Sequence, residues 1–570
     1  MKKIFTLTAI AFLCFNASAA TLEASTTQPT YTGTSIPLLK ITSGSGKTSY
    51  VSGVINDPTD PAATKGIYFQ APSGSSLSFT SSNTNVVKTS DITATEIESG
   101  RYAVKIKPTG VGSTKITVKL SGASDYTIQY AASKASAEPS RTTWLAGSSD
   151  ASAVAEVGDG YFFVADDENN LIRLYNMNES GMPVKEIDVT SMAGGTAGEE
   201  FDIEGASVSD DGQTIYWIAS LSNSKKGKQK EYRNRVFSTK LSGSGINASL
   251  SAGAYSTKMR DALIAFGDAC NWDFSASASY ANSMIPKRID GFNIEGLTLQ
   301  KGGGAAYVAF RAPCVPLKGV APTASNRKYA VMAPVTNFET MLAGSGLSSI
   351  NPSFGEPVLF DFGGLGIRAL ERVGDYYVII AGLFEGGGHP KAYLWDGTTN
   401  TDGSPITTEG EHLSVIDIDM SDLVQTEGTE VEGHPEAISV QQDGNNIIIH
   451  IVCDNGAVDL YGDGKTAKEY GADSKKFPWA KFRKDTYVYE LPASTPVDEH
   501  ELTASLSCSL IGNVLTVSGL HEGMPVIVAS YDGKVIDTAT AEGETYTVRL
   551  PSTNTTYIVK VGNKSIKLYY

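Results

Sequence analysis

Four charged side chains occupy equivalent positions in a short segment that recurs along the chain. The five copies are Ser152–Val154, Ile203–Ala206, Ile294–Leu297, Ile367–Leu370 and Pro435–Ile438. Three copies place glutamate at the second position (Glu204, Glu295, Glu436), and one places Arg368 there. Carboxylates gathered at one place can hold a divalent cation, and carboxylates beside arginines can form ion pairs. The repeat therefore predicts a charged site built from several parts of the chain.

The residues after each glutamate indicate where it lies. Glu295, Leu297 and Leu299 fall on one face of a strand because side chains alternate along a strand. That face is otherwise apolar and must pack against a neighbouring sheet, so each glutamate begins a buried row. A buried ionised carboxylate needs a partner. We predict that Glu204, Glu295 and Glu436 line the mouth of a central channel.

Two kinds of partner remain open for these carboxylates. One is arginine, and the candidates in the same units are Arg288, Arg311, Arg368 and Arg372. The other is a divalent cation such as Ca²⁺, held by Glu204, Glu295 and Glu436. A Glu/Arg network that only locks neighbouring sheets together is the structural alternative.

The repeat also indicates the elements that position the site. Each copy is followed by a polar turn and a hydrophobic strand, and most units can be divided into four strands. Such a repeat predicts an all-β chain with a β-propeller over residues 141–492; five blades are favoured, and six or seven remain open. The segment Thr143–Leu145 is predicted to supply the missing strand of the last unit and to close the ring. Tyr255–Phe266 has helical spacing and is predicted to be an inserted helix.

Smaller β-domains flank the predicted propeller. Alternating strands separated by Gly/Ser/Asn turns predict a β-sandwich over residues 21–138, followed by a linker over 133–140. Residues 496–570 predict a small C-terminal β-sandwich. Residues 1–20 have the basic start, apolar centre and Ala-Ser-Ala end of a signal peptide. An exported protein is expected.

Two of these regions resemble known families. The text of Phe79–Val87 followed by Gly110–Val118 resembles the bacterial Ig-like group 2 family, whose modules act as spacers. The C-terminal text Asn513–Leu520, Val526–Ile536 and Tyr557–Leu568 resembles the C-terminal sorting domain of the type IX (Por) secretion system. This second resemblance implies a Bacteroidetes protein, secreted or attached to the cell surface, that engages the type IX secretion machinery.

Composition and charge limit the classes of partner. The chain has 570 residues and a formal net charge of −16, and removal of residues 1–20 would change the net charge to −18. A strongly acidic surface repels nucleic acid, and no segment is apolar and long enough to predict a transmembrane helix. Cys270 and Cys314 flank one repeat, so they either form a disulfide or remain separate buried thiols.

Two further segments could contribute chemistry. Asp166–Asn170 is an acidic turn, predicted to be a solvated hairpin tip that could also bind calcium. His434 lies two residues before Glu436 and could act as a general base or be an ordinary loop histidine. No Ser/His/Asp arrangement of a hydrolase is evident.

The propeller region itself resembles known proteins. The segments Ile294–Leu297, Ala309–Pro313 and Ile367–Leu370 resemble a family of secreted bacterial propellers of unassigned function and, more distantly, the esterase-like phytase propellers. The distant resemblance implies phosphate-ester hydrolysis, with Glu204, Glu295 and Glu436 as metal ligands and Arg311 and Arg368 holding an anion.

Three functions follow as hypotheses. The first is binding of a small polar or anionic ligand, a glycan or a surface protein at the channel mouth. The second is metal-assisted hydrolysis of phosphate or carboxyl esters, and the third is a purely structural surface role.

Overall fold

The structure is a computed structural model that divides the chain into two compact units, Met1–Glu490 and Leu491–Tyr570. It describes residues 21–24, 30–31, 34–35, 42–43, 47–136, 138–279, 286–383, 389–423, 433–491, 507–511, 513–520, 522–530, 534–551, 556–561 and 564–569. The predicted signal peptide lies outside the described residues.

Five sheets succeed one another between residues 142 and 490. Sheet I consists of Ala151–Glu156, Tyr161–Asp166, Asn169–Asn176 and Lys185–Asp188. Sheet II consists of Ile203–Val208, Thr214–Ala219, Val236–Ser242, Ser249–Ser256 and the added parallel strand Gly346–Leu347. Sheet III consists of Asn293–Leu299, Ala306–Ala312, Ala330–Val335 and Val358–Phe360. Sheet IV consists of Gly366–Val373, Tyr376–Gly382, Lys391–Trp395 and Leu413–Ile416. Sheet V consists of His434–Asp443, Asn446–Asp454, Lys481–Glu490 and Thr142–Ala146.

The first-named strand of each sheet lies innermost, and neighbouring innermost strands pack against one another in a closed ring. Sheet V closes this ring because Thr142–Ala146, which precedes sheet I in the chain, pairs antiparallel with Lys481–Glu490. The sequence predicted this closing strand at Thr143–Leu145. The central region is therefore a β-propeller, as predicted.

The residue types explain why the ring holds together. Every residue of Asn293–Leu299 and of Ala306–Ala312 is buried, so these strands contact other elements on both faces. The apolar residues of these strands, among them Leu297, Val308 and Phe310, are fully buried, and their burial stabilises the sheet. One large core extends through sheets I, II and III and includes Trp217, Phe237 and Phe310.

An inserted helix lies between sheets II and III. The sequence placed it at Tyr255–Phe266, and the structure places it at Met259–Ala269. It begins later because Tyr255 pairs with Phe237 in the preceding strand. Met259 and Leu263 are buried in the core next to Phe274. The other helices of the described residues are Pro61–Thr64, Phe274–Ser277, Phe338–Met341 and Ala467–Gly471, with 3-10 turns at Thr89–Asp91, Glu231–Arg233, Gly245–Asn247 and Phe477–Trp479.

The N-terminal region forms two sheets that share one hydrophobic core. The first sheet consists of Glu23–Ala24, Ile67–Gln70, Arg101–Ile106 and Ile92–Glu98. The second consists of Thr42–Ser43, Thr48–Val54, Tyr126–Ser133, Gly112–Lys119 and Ser78–Ser81, and a separate pair is formed by Thr30–Tyr31 and Thr34–Ser35.

This N-terminal sandwich contacts sheet V directly. The Lys481 ammonium group, which is 1% exposed, donates hydrogen bonds to Gly53 O at 2.7 Å and to Ser133 Oγ at 3.0 Å. The Trp479 indole donates to Val51 O at 3.0 Å. The sandwich is thus packed on the propeller through buried hydrogen bonds, whereas the resemblance to Ig-like modules implied a spacer.

The C-terminal unit has a core of its own. One sheet consists of Ser507–Ile511, Val514–Ser518 and Thr545–Arg549. The other consists of Val535–Thr540, Pro525–Ser530, Thr556–Val561 and Lys564–Tyr569. Leu515, Val526 and Tyr557 are among the residues that fill the space between them.

The described residues bear on the cysteines and on the helices. Cys270 and Cys314 are both buried, and the structure has them as separate free thiols. Among the described helices, none combines the length and the apolar character needed to cross a bilayer.

Candidate functional site

The repeated position is a β-bulge in every innermost strand. The strand register shifts at Ser152, Glu204, Glu295, Arg368 and Glu436 in sheets I to V respectively. A bulge leaves one residue unpaired, bends the strand and re-aims its side chain. The alternation of side chains expected from the sequence therefore breaks at the repeated residue. Glu204, Glu295, Arg368 and Glu436 line a cavity at one end of the ring, whereas the Ser152 hydroxyl donates to Ile203 O.

Below the bulges the innermost strands approach one another closely. The space between them amounts to a cavity of about 20 Å³. A Cβ at Gly205 would lie 2.9 Å from Leu297 N, and one at Gly296 would lie 2.9 Å from the Ala309 Cβ. Glycine follows glutamate in two repeats because no side chain fits there.

Above the bulges the channel opens into a cavity of about 800 Å³. We call it the mouth cavity. Its acidic lining residues include Asp150, Asp167, Asp202, Glu204, Glu295, Glu436 and Asp454, and its basic residues include Lys225, Lys226, Lys228, Lys230, Lys287, Arg311 and Arg368. The lysines at 225, 226, 228 and 287 are exposed, whereas Arg311 and Arg368 are buried.

Four of the predicted site residues form one ion-pair network. Arg311 Nη1 donates a short hydrogen bond to Glu295 Oε1, which also accepts from Asn293 Nδ2 at 3.0 Å. Arg368 Nε lies 3.1 Å from Glu295 Oε2, and Arg368 Nη2 donates a short hydrogen bond to Glu436 Oε1. Burial lowers the pKa of Arg368, but the surrounding carboxylates outweigh this effect and raise its pKa overall. Arg311 and Arg368 thus balance the negative charges of Glu295 and Glu436.

Glu204 stands apart from this network. Its side chain is 7% exposed and, within the described part of the chain, forms neither a hydrogen bond nor an ion pair. Burial, together with the carboxylates of Asp202, Glu295 and Glu436, raises the pKa of Glu204 well above its ordinary value. Among the described residues, no arginine or lysine forms an ion pair with this carboxylate, although Arg311 attracts it at longer range.

Further carboxylates lie close to Glu204. One oxygen each from Asp167, Asp202 and Glu204 lie within 4.8 Å of one another, and Asp150, Asp167 and Glu168 form a second such group. Burial followed by the repulsion of Asp454 raises the pKa of Asp167 well above its usual range. Burial also raises the pKa of Asp150 and of Asp202 to about 6 in each case.

The remaining sequence candidates lie in other surroundings. Arg288 pairs with Asp290, and Arg372 pairs with Asp210, so neither reaches the repeated carboxylates. His434 does line the mouth cavity, and burial lowers its pKa to about 4. The segment Asp166–Asn170 is not a solvated hairpin tip, because Asp166 is 3% exposed and Asp167 lines the mouth cavity.

Sequence reasoning missed four acidic residues of this cavity, namely Asp150, Glu200, Asp202 and Asp454. A signal for two of them was present: Asp150, Asp202 and Asn293 each precede the repeated residue by two positions. Asp454 is the last residue of the strand Asn446–Asp454 in sheet V, and it pairs with Asp150 in an isolated antiparallel β-bridge. The polar residue that recurs two positions before the bulge would therefore have identified Asp150 and Asp202.

No protein-family model and no curated protein matches the chain. Solved structures with similar folds include glutaminyl cyclase from Myxococcus xanthus, with 13% identity, a TM-score of 0.30 and coverage of 62% of this chain and 96% of that chain. Virginiamycin B lyase from Staphylococcus aureus has 12% identity, a TM-score of 0.25 and coverage of 61% and 99%. PorZ, a surface component of the type-IX secretion system of Porphyromonas gingivalis, has 10% identity, a TM-score of 0.23 and coverage of 91% and 69%. At these values the similarities concern the fold alone.

Proposed function

We propose that this protein is an exported binding protein whose mouth cavity holds a small polar ligand with an anionic group. The observation that supports this function most is the cavity itself. Its volume of about 800 Å³ lies within the range of small-molecule sites, about 300–1,000 Å³. Its floor is a buried network of charges held in place by four innermost or adjacent strands.

The distribution of charge supports the ligand class. Buried carboxylates and Asn293 at the floor can accept hydrogen bonds from hydroxyl or ammonium groups. Lys225, Lys226 and Lys228 at the rim carry exposed positive charge that suits an anionic group. A hydroxylated acid, such as an acidic sugar, combines both features.

Calorimetric titration of the full chain with D-glucuronate tests this function, with D-glucose as the matched neutral probe. We expect D-glucuronate to bind more tightly than glucose, and we expect the charge swap Lys226→Glu to weaken its binding by about tenfold, which corresponds to about 1.4 kcal/mol. Asp375→Asn, at an exposed turn of sheet IV, is the control and should change neither isotherm. Absence of binding for both probes at about 10 mM would contradict the proposal.

Ester hydrolysis is a second candidate function. The specific observation in its favour is that His434, a possible general base, lines the same cavity as the carboxylates. Turnover of p-nitrophenyl phosphate or p-nitrophenyl acetate that disappears in His434→Gln would favour hydrolysis over binding alone.

We infer further that the chain is exported through the type IX secretion system. The supporting features are the signal-like residues 1–20 and the sorting-domain resemblance of residues 496–570. Removal of residues 496–570 is expected to retain the protein in the periplasm, whereas the full chain reaches the surface or the medium. Cell fractionation decides this, and equal export of both forms would contradict the assignment.

A further inference from the structure

We propose that Asp167, Asp202 and Glu204 bind a divalent cation, for which Ca²⁺ is the best-suited ion. Of these residues, only Glu204 belongs to the trio of glutamates that the repeat suggested. The inference rests on the proposed function, because the cation lies inside the same mouth cavity. There the ion would contribute to ligand binding.

The spacing of the oxygens is the first reason. One carboxylate oxygen from each of the three residues lies within 4.8 Å of the other two. Ca²⁺ takes six to eight oxygen ligands at about 2.3–2.6 Å, so oxygens bound to one ion lie at such separations. The three residues come from two sheets: Asp167 follows a strand of sheet I, whereas Asp202 and Glu204 lie at the start of the innermost strand of sheet II.

The absence of competing partners is the second and independent reason. Glu204 is more than nine-tenths buried, lines the cavity, and has no hydrogen bond or ion pair to any described residue. The Oδ1 atom of Asp167 is also buried without a hydrogen-bond partner among the described residues. A buried carboxylate oxygen without a donor is costly, and a cation removes that cost.

The arginines near this acidic group pair with other carboxylates or with one oxygen of Asp202. Arg233 Nη1 donates to Asp202 Oδ2 at 2.6 Å, while Arg233 Nη2 donates to Glu200 Oε1 at 2.6 Å. Arg233 therefore fixes one oxygen of Asp202 and leaves Oδ1 without a hydrogen bond to the described residues. Metal-binding carboxylates are commonly oriented by such a second contact. Arg311 pairs with Glu295, and Arg368 pairs with Glu295 and Glu436.

The chemistry of the site favours Ca²⁺ over Mg²⁺. Mg²⁺ demands near-octahedral geometry, keeps several waters, and is usually bound by one or two carboxylates together with phosphate. Three carboxylates on an open cavity suit the larger and more adaptable Ca²⁺. The open side of the site faces the cavity, where hydroxyl or carboxylate oxygens of a ligand can complete the coordination.

Calorimetric titration of the metal-free full chain with CaCl₂ tests this inference. We expect one Ca²⁺ per chain, with a Kd on the order of 10⁻⁴ to 10⁻³ M. Asp167→Asn should weaken binding by at least about tenfold, and the exposed control Asp375→Asn should leave it unchanged. Wild-type protein that binds no Ca²⁺ at about 10 mM, or Asp167→Asn that binds Ca²⁺ as tightly as wild type, would overturn the site.

Thermal melting separates a cation site from a structural role. In EDTA, Asp167→Asn should melt at the same temperature as wild type or higher, because the substitution removes repulsion among buried carboxylates. Added Ca²⁺ should raise the melting temperature of wild type and leave that of Asp167→Asn unchanged. A lower melting temperature in EDTA together with an unchanged response to Ca²⁺ would contradict the proposal. Glu204→Gln provides a second variant with the same expectations.

The two proposals fail in different ways. Binding of D-glucuronate without any binding of Ca²⁺ would remove the cation and leave the proposed function intact. Binding of Ca²⁺ without binding of either sugar probe would leave the cation site and contradict the proposed ligand class.

Discussion

Replacement of Arg368 by methionine is expected to lower the free energy of unfolding of the propeller by about 3–5 kcal/mol. Arg368 is 5% exposed and contacts both Glu295 and Glu436. Its removal leaves Glu436 without its arginine and leaves Glu295 with Arg311 alone. An ionised carboxylate that loses its partner in a buried position is strongly destabilising because water cannot replace the lost interaction.

Urea unfolding followed by tryptophan fluorescence measures this change. Arg372→Met is the matched control, because Arg372 lies four residues further along the same strand and pairs with the half-exposed Asp210. That pair is a surface pair, and its loss should cost no more than about 1 kcal/mol. The combination Arg368→Met with Glu436→Gln should recover part of the loss, since it removes one unpaired charge.

Two outcomes would change the interpretation of the network. Equal effects of Arg368→Met and Arg372→Met would mean that solvent reaches the buried carboxylates and screens them. A loss of stability without any change in probe binding would support the purely structural role of the network.

The architecture was largely predictable from the sequence because it depends on local periodicity. The recurring segment marks the innermost strand of each sheet, and the following hydrophobic segment marks the strand that pairs with it. The closing strand was predictable because the last unit lacked one strand and Thr143–Leu145 was available. These inferences use the order of elements along the chain and need no side-chain geometry.

The identity of the free carboxylates was not predictable in the same way. Glu204, Glu295 and Glu436 are equivalent in sequence, yet two are paired with arginine and one is not. The difference depends on Arg311, which is near Glu295 in the adjacent strand of sheet III, and on Arg368 in sheet IV. The pairing of each arginine with a particular glutamate depends on how the bulges orient the side chains in three dimensions, and the sequence does not show this orientation.

The acidic residues around Glu204 were not predictable for the same reason, because their proximity depends on contacts between sheets. Asp167 lies in a hairpin whose sequence predicts a solvated turn, because acidic and asparagine residues are typical of turns. Ring closure brings that hairpin beside Asp202 and Asp454, and burial follows from this proximity. A contact between residues from sheets I, II and V has no signature in a linear motif.

The interface between the N-terminal sandwich and the propeller gives the second large effect. Trp479 is 4% exposed, and its ring centroid lies 5.5 Å from that of Tyr470, 6.0 Å from that of Tyr461 and 6.3 Å from that of Tyr50 in the sandwich. We expect Trp479→Ala to lower the free energy of unfolding by about 3–5 kcal/mol, because it removes a large buried aromatic side chain and leaves a cavity. Chemical unfolding measures this loss.

The same substitution should loosen the sandwich from sheet V, since it also removes the hydrogen bond from the indole to Val51 O. Limited proteolysis with trypsin should then cleave at Lys134 or Arg141, between the two regions, faster than in wild type. Trp479→Phe keeps an aromatic ring and loses only the hydrogen bond and part of the ring, so its cost should be nearer about 1–2 kcal/mol. If Trp479→Ala matched wild type in both stability and cleavage, the sandwich would be a tethered spacer, as its resemblance to Ig-like modules implied. Faster cleavage with a large loss of stability would instead make the sandwich part of the propeller's folded unit.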